Sequence, residues 1–308
     1  MKELINIFYK TIIGNYILCI VKKYWNKYQI FRYKRLNDEE LIQIRYKEFL
    51  SKKIDLKNPK LFTEKIQWLK LNDRRDIYTK CADKFHVRSY VEEKLGTNYL
   101  IPLVFMTEKY RNINQINLPD YPVIIKTTHD SGSNLIINDK KNIDFKKVHK
   151  FLARRLKYNH YYLYREWEYK NIKPRIIVEK LFKDEMENQQ LNDYKVHCFH
   201  GKPQFIQTIF DRGSVTKEDW YDTSWNPIDV YYFSPIKKNV QKPKVINELL
   251  RISEILSQDF PYVRVDLYIV ENKIYFGELT FRPYGGFMSF VPESFDIQLG
   301  NYLNLNNI

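Results

Sequence analysis

Two carboxylates facing one another across a β-hairpin are the strongest chemical signal in this sequence. Residues 263–270 read VRVDLYIV and residues 273–281 read KIYFGELTF, with Glu271-Asn272 between them. Two β-branched, aromatic runs joined by two residues predict an antiparallel hairpin. Alternation places Val263, Val265 and Leu267 on one face and Arg264, Asp266 and Tyr268 on the other. Glu278 and Thr280, two apart, also share a face. Asp266 and Glu278 then lie almost opposite each other. Such a pair repels unless a cation or a proton joins it. Oxygen ligands of this kind suit Mg²⁺, which binds through one or two carboxylates together with substrate phosphates. The competing assignment is a cross-strand Arg264–Glu278 ion pair with Asp266 exposed.

Three weaker signals precede this hairpin. Lys126 ends the apolar run YPVIIKTT, and a lysine in a buried strand needs an anionic partner. The loop after it contains Ser131, Gly132 and Ser133, small residues that let backbone N–H groups approach phosphate oxygens. Glu179 closes the apolar strand RIIVEKLF. Asp193-Tyr194-Lys195 opens another strand, in which Lys195 and His197 alternate onto one face. Taken singly, each is more often an ordinary strand-end residue.

The elements that must position these residues follow from period and punctuation. Residues 1–50 read helical, with basic faces. Residues 60–95 carry two helical segments, the second closed by Gly96. Tyr121–Thr128 and Leu135–Ile137 are strands flanking the turn cluster HDSGSN. Phe145–Leu156 is a helix rich in Lys and Arg. Arg175–Phe182 is a strand, Tyr194–Phe210 a hairpin turning at HGKP, and 243–259 a helix. The class is mixed α/β with mainly antiparallel hairpins. No strand–GxGxxG–helix unit and no GxxxxGK[ST] is present, which argues against a dinucleotide-binding fold and a P-loop.

Order ties these signals together. ADKFHVRSYV, VIIKTTHDSGSN, IIVEKLF, DYKVHCFHGKPQF and VRVDLYIVENKIYFGELTFRPYGG follow one another along the chain. The series resembles the TupA-like branch of the ATP-grasp superfamily, associated with bacterial surface-polysaccharide synthesis, over about residues 60–300. The resemblance implies an α+β ATP-grasp fold of two α+β subdomains with mainly antiparallel sheets, preceded by a helical N-terminal region. It implies ATP and Mg²⁺ as cofactors, and ligation of a carboxylate to an amine through an acyl-phosphate. Lys84 and Lys126 look like the two lysines that contact phosphates. Ser131, Gly132 and Ser133 look like the flexible loop covering them. Glu179, Lys180 and Leu181 look like the hinge that meets adenine. Lys195, with Asp193 beside it, is similar to the later nucleotide-contacting lysine. Arg264 resembles the arginine that stabilises the transferred phosphate, so Arg264 and Lys195 are the expected catalytic pair. Asp266, Glu278 and Thr280 are the expected metal ligands. Here the chain departs from the superfamily, whose usual Glu-x-Asn triplet reads Glu278-Leu279-Thr280. A hydroxyl is a weaker ligand than an amide oxygen. Arg282 and Gly285-Gly286 follow the metal strand, placed to shape the acceptor pocket.

Composition sets the boundaries. The chain has 308 residues, 44% hydrophobic and 16% aromatic, enough for a large core and against disorder. Its net charge is +14, and residues 1–60 hold 14 Lys/Arg against 6 Asp/Glu, a surplus of +8. A basic excess favours anionic surfaces or phosphorylated substrates. It equally matches the Lys-, Asn-, Ile- and Tyr-rich usage of an AT-rich genome. The expected division is a basic helical region 1–60, an N-terminal ATP-grasp part 61–178 and a C-terminal subdomain 179–308 bearing the metal site. No run of about 18 uncharged apolar residues and no cleavable signal are visible. Residues 4–21 come nearest. With the basic, aromatic flank of Lys22, Lys23, Trp25, Lys27 and Tyr28, they suit either a packed helix or one lying on an anionic membrane face. The expected location is cytoplasmic, either free or attached peripherally to the inner face of the cytoplasmic membrane. Cys19, Cys81 and Cys198 are scattered singly and read as inert thiols. The expected substrates beside ATP are a carboxylate-bearing saccharide or sugar nucleotide and an amine or amino acid, with no nucleic acid. Two other classes compete. A glycosyltransferase lacks support from any DxD motif. A non-enzymatic polyanion or membrane binder would use the stretch KKYWNKYQIFRYKR but leaves residues 120–300 unexplained.

Overall fold

In the computed structural model, two antiparallel sheets face a common cleft. The structure describes residues 32–182, 191–210, 216–235, 237, 239–306 and 308. The N-terminal segment 1–31, including Cys19 and the expected membrane-facing helix, lies outside the described residues. No described helix is long and apolar enough to cross a membrane.

The smaller sheet has strands β1 (Leu103–Thr107), β2 (Val123–Thr127), β3 (Leu135–Ile137) and β4 (Ile176–Lys180), in the order β1-β4-β2-β3. One of its faces packs Val123, Ile125, Ile137, Ile176 and Val178 against Leu152 of the helix Phe145–Arg155. Alternation in β2 turns Ile124 and Lys126 the other way, toward the cleft.

The larger sheet has β5 (Asp193–Phe199), β6 (Lys202–Phe210), β7 (Lys217–Asp222), β8 (Pro227–Ile228), β9 (Tyr262–Val270) and β10 (Lys273–Thr280), in the order β10-β9-β5-β6-β7-β8. Every pairing is antiparallel. One face buries Val196, Cys198, Val263, Val265 and Leu267 under the helices Val87–Leu95 and Ile246–Ser257. The other face is apolar at one end, where Phe199, Phe205, Trp220 and Tyr262 pack on the helices Phe62–Asn72 and Ser294–Tyr302. Its other end carries charge. The helices of residues 62–95 thus pack on the larger sheet, and the smaller body spans 103–180. The division expected at 178/179 falls inside β4.

Among the described residues, the helices and strands expected from periodicity are present with their ends moved by a few residues, and of the helical reading of residues 1–50 the described part holds the helix Asp38–Leu50. Gly96 closes its helix at φ 82°. Glu271 and Asn272 both adopt positive φ, 50° and 59°, which makes the two-residue hairpin turn. Strands β1, β7 and β8, the short helices Asp76–Ala82 and Tyr161–Tyr164 and the last helix went unread. Cys81 and Cys198 are buried, and burial pushes both thiols up to about 12, as inert cysteines require.

Candidate active site

The charged end of the larger sheet is a small grid of side chains. Register places Lys195 of β5, Asp266 of β9 and Glu278 of β10 in one row. The next row is His197, Arg264 and Thr280. Between these rows, on the reverse face, Val196, Val265 and Leu279 are buried in the core. The alternating pattern therefore does two jobs, anchoring three strands from behind and presenting six polar groups in front.

Glu278 reaches this face through a β-bulge. Counting from the Glu271-Asn272 turn, strict pairing sets Leu267 opposite Phe276, as observed, and would set Asp266 opposite Gly277. The register slips by one between Phe276 and Glu278, so Asp266 pairs with Glu278 instead. Without the slip, Glu278 would point into the apolar core. Gly277 permits it, since a Cβ there would lie 2.9 Å from the Asp266 carbonyl oxygen and 2.9 Å from the Tyr268 ring.

The charges interlock. Arg264 donates from Nε to Asp266 Oδ1 at 2.6 Å and from Nη2 to Asp266 Oδ2 at 2.7 Å, and also to the Thr280 hydroxyl at 3.1 Å. Lys195 donates to Asp266 as well. Asp266 is 2% exposed. Its burial would raise the carboxyl pKa, but the Arg264 and Lys195 cations outweigh that and hold it down at about 2. Glu278 is the half-exposed member, 4.0 Å from Arg264. The alternative of an Arg264–Glu278 pair with Asp266 exposed is therefore reversed. Asp266 carries the buried pairs and Glu278 faces open space.

Across the cleft, of about 510 Å³, stand Lys84, Lys126, Ser131, Gly132 and Glu179. Lys126 donates to Glu179 Oε2 at 2.9 Å and Arg88 to Glu179 Oε1 at 3.0 Å. The partner expected for the buried-strand lysine is thus Glu179, with Arg88 as a cation the sequence did not reveal. Lys84 donates to the Asp130 carbonyl. Burial lowers its ammonium pKa, against the opposing charges of Glu278 and Asp130.

The HDSGSN loop is pinned at its base and open at its tip. Asp130 accepts from the Thr127 and Ser133 hydroxyls at 2.5 and 2.6 Å and pairs with Arg155. Ser131 and Gly132 are exposed at the tip, Gly132 at φ 73°. Ser133, expected beside them over the phosphates, instead turns inward and is 1% exposed. Its hydroxyl is short enough to close the turn on Thr127 and Asp130, so it does not line the cleft. Lys180 and Leu181 do not line it either. Their backbone N–H groups donate to Pro102 and Pro122 carbonyls at 3.0 Å each, and the Lys180 side chain lies outside, over Phe182. Asp193 does line the cleft, beside Lys195.

No described cluster of three His, Cys, Asp or Glu residues forms a closed metal cage. The donor set of Asp266, Glu278 and Thr280 is a different kind of site. It offers oxygen only, from adjacent register positions, with Glu278 open to the cleft. That chemistry fits a hard cation that brings phosphate oxygens and waters of its own.

The family model for TupA-like ATPgrasp matches residues 64–304, so the chain belongs to the TupA-like ATP-grasp family. The α+β architecture described above is therefore that of an ATP-grasp protein. No curated protein matches the chain. Among solved structures, D-alanine--D-alanine ligase from Bacillus anthracis complexed with ATP is similar at 14% identity and TM-score 0.43, covering 73% of this chain and 65% of that one. The ATP-grasp ligase PsnB, complexed with a phosphomimetic variant of its minimal precursor, Mg and ADP, is similar at 10% identity and TM-score 0.41, covering 78% and 66%. The chain thus spans about 65% of the length of the first of these ligases.

Proposed function

We propose that this protein is an ATP-dependent carboxylate–amine ligase that amidates a sugar carboxylate with an amino acid or another amine, in the making of a surface polysaccharide. The observation that carries the reading is the grid of Lys195, Asp266 and Glu278 beside Arg264 and Thr280, facing Lys84 and Lys126 across one cleft. Five cations line this volume, Lys84, Lys126, Lys195, Arg264 and Arg282, and suit a polyphosphate, while the two acids suit the Mg²⁺ that accompanies it. Asp266, Glu278 and Thr280 would hold that ion, which when bound neutralises developing charge on the phosphates.

The residues can be given roles on this reading. Lys84 and Lys126 reach the phosphates from the smaller sheet, with Ser131 and Gly132 above them. Glu179 holds Lys126 in place. Arg264 and Lys195, fixed by Asp266, present positive charge where a phosphoryl group moves from ATP to a carboxylate. Phosphoryl transfer is catalysed mainly by such positioning and electrostatics, so no side-chain nucleophile is needed. The saccharide part of the proposal is supported by the aromatic wall of the cleft, where Phe49, Tyr164, Tyr232, Tyr284 and Phe287 stand together. Such rings offer flat apolar faces on which the C–H face of a sugar ring can stack, and the three tyrosines add hydroxyl groups at their edges.

The test combines Mg²⁺–ATP with D-glucuronate or D-galacturonate and a panel of amino acids. ADP release is followed with product mass, and hydroxylamine is added as a trap. Formation of a hydroxamate and an amide supports the reading. ATP turnover with neither product, under every pairing, counts against it.

A further inference from the structure

One part of the cleft wall is not used by the phosphate chemistry. The segment Tyr158–Tyr169 contributes His160, Tyr164, Glu166 and Tyr169 to the lining. His160 precedes the single helical turn Tyr161–Tyr164, and Arg165 then reverses the chain at φ 55°. A non-glycine residue in that conformation persists only where its surroundings over-determine it. Here they do. The Arg165 side chain is buried and donates to the Tyr33 and Leu36 carbonyls at 2.5 and 2.8 Å, with Asp38 at 2.9 Å. The reversal brings Glu166 back onto His160, whose Nε2 lies 3.1 Å from Glu166 Oε1.

The ring is fixed on its flanks too. Tyr169, Tyr164 and Tyr158 pack round it at centroid distances of 5.0, 5.5 and 6.1 Å. A carboxylate at Nε2 selects the tautomer protonated there and leaves the lone pair on Nδ1. No described hydrogen bond takes Nδ1. The charged groups near this pair are Lys70, Glu168 and Arg282, which form one buried cluster with Glu166.

Of the other carboxylates lining the cleft, Glu278 is the half-exposed member of the proposed Mg²⁺ site, and Glu179 and Asp266 are held by cations. Glu179 is held by Lys126 and Arg88, and Asp266 by Arg264 and Lys195. Burial pushes the Lys70 ammonium down to about 7, but it donates to the Tyr164 and Gly285 carbonyls at 2.8 and 2.5 Å and does not line the cleft. It braces the two walls beside His160 rather than reaching a substrate.

We propose that His160, oriented by Glu166, is the base that takes the proton from the attacking amine. The proposal rests on the ligase reading above. An amine reaches the site as an ammonium, which has no lone pair to attack with. One N–H proton passes to His160 Nδ1, leaving its electron pair on nitrogen. That pair forms the C–N bond to the acyl-phosphate carbon. The C–O bond to phosphate breaks, and its electrons leave with the phosphate. A second proton leaves the nitrogen as the amide forms and goes to the departing phosphate. The imidazolium returns its proton to solvent. General-base assistance of this kind contributes about 10²–10⁴-fold.

The test compares wild type with His160→Gln, whose side-chain amide retains a donor for Glu166 but has no basic nitrogen. The carboxylate is the uronic acid giving most hydroxamate with wild type, and the acceptors are hydroxylamine or glycine at pH 7. Hydroxylamine is mostly unprotonated there and glycine is an ammonium. The amide-to-hydroxamate ratio should fall at least tenfold in His160→Gln and recover as pH rises toward deprotonation of glycine. Glu166→Gln should shift the pH profile of amide formation while lowering the ratio less. An unchanged ratio in His160→Gln, or equal loss of both products with no recovery at high pH, overturns the proposal. Wild type that makes neither product with any uronic acid overturns the ligase reading, and the base with it.

Discussion

Asp266 is where the energetics of the site concentrate. It is buried with two cations, and such clusters are costly to break, at about 3–5 kcal/mol when one partner is removed, because the remaining charges stay buried alone. Asp266→Asn should therefore destabilise the protein by roughly that amount at neutral pH. The sign of its pH dependence follows from the depressed carboxyl. A folded pKa of about 2 against the ordinary 3.8 means that the unfolded chain binds the proton first. The stabilisation is complete above pH 4 and is lost as pH falls through about 2. In urea unfolding, the gap between wild type and Asp266→Asn should narrow by about 2 kcal/mol between pH 5 and pH 2. A gap that stays constant or widens would show that Asp266 is not held ionised by Arg264 and Lys195. At this scale the sequence was informative for charged residues on strong strands. Lys126, Lys195, Arg264, Asp266 and Glu278 all line the cleft. Arg88, His160 and Glu166 were missed. Each sits in a helix or tight turn whose approach to the cleft depends on tertiary packing, which no local spacing reports.

Among the elements, the β9–β10 hairpin shows what alternation can and cannot deliver. Period 2 and the two-residue turn identify the strands and the polar face of β9. Counted strictly, they put Glu278 on the wrong face. The isolated Gly277 within an otherwise β-branched and aromatic strand is the signal of the bulge that corrects this. Gly277→Ala should cost roughly 1–3 kcal/mol, because its Cβ meets backbone that has to shift. It should also weaken Mg²⁺-dependent nucleotide binding, by moving Glu278. Calorimetric unfolding with nucleotide titration checks both, and an alanine variant of wild-type stability and affinity would remove the bulge from the account. The loop over residues 129–134 makes a second case. Its turn residues announced a loop, but Ser133 is consumed in holding the loop's own base. Amide hydrogen exchange should therefore slow on adding Mg²⁺ and a non-hydrolysable ATP analogue at Ser131 and Gly132, and change little at Ser133. Uniform slowing across the loop would mean that the base is mobile as well.

For the whole molecule, the order of motifs carried more than any one of them. Strands β2, β4 and β5 and the β9–β10 hairpin come from stretches far apart in sequence, and they build the two walls of one cleft. Composition argued against disorder, and the missing GxGxxG motif against a dinucleotide-binding fold, but neither said how the sheets meet. The pairing of helices 62–95 with the larger sheet was illegible for the same reason that the β1 and β7 strands were. Those strands are short or polar, and only partners distant in sequence make them strands. The central claim is that the two sheets close on Mg²⁺–ATP through the acids of the last hairpin. Glu278→Gln tests it most directly, since that side chain is half exposed and its loss leaves the buried Asp266 cluster intact. Titration of a non-hydrolysable ATP analogue should show binding to wild type that requires Mg²⁺, and at least tenfold weaker Mg²⁺-dependent binding to Glu278→Gln. Equal affinity in the two proteins, with or without Mg²⁺, would contradict the account.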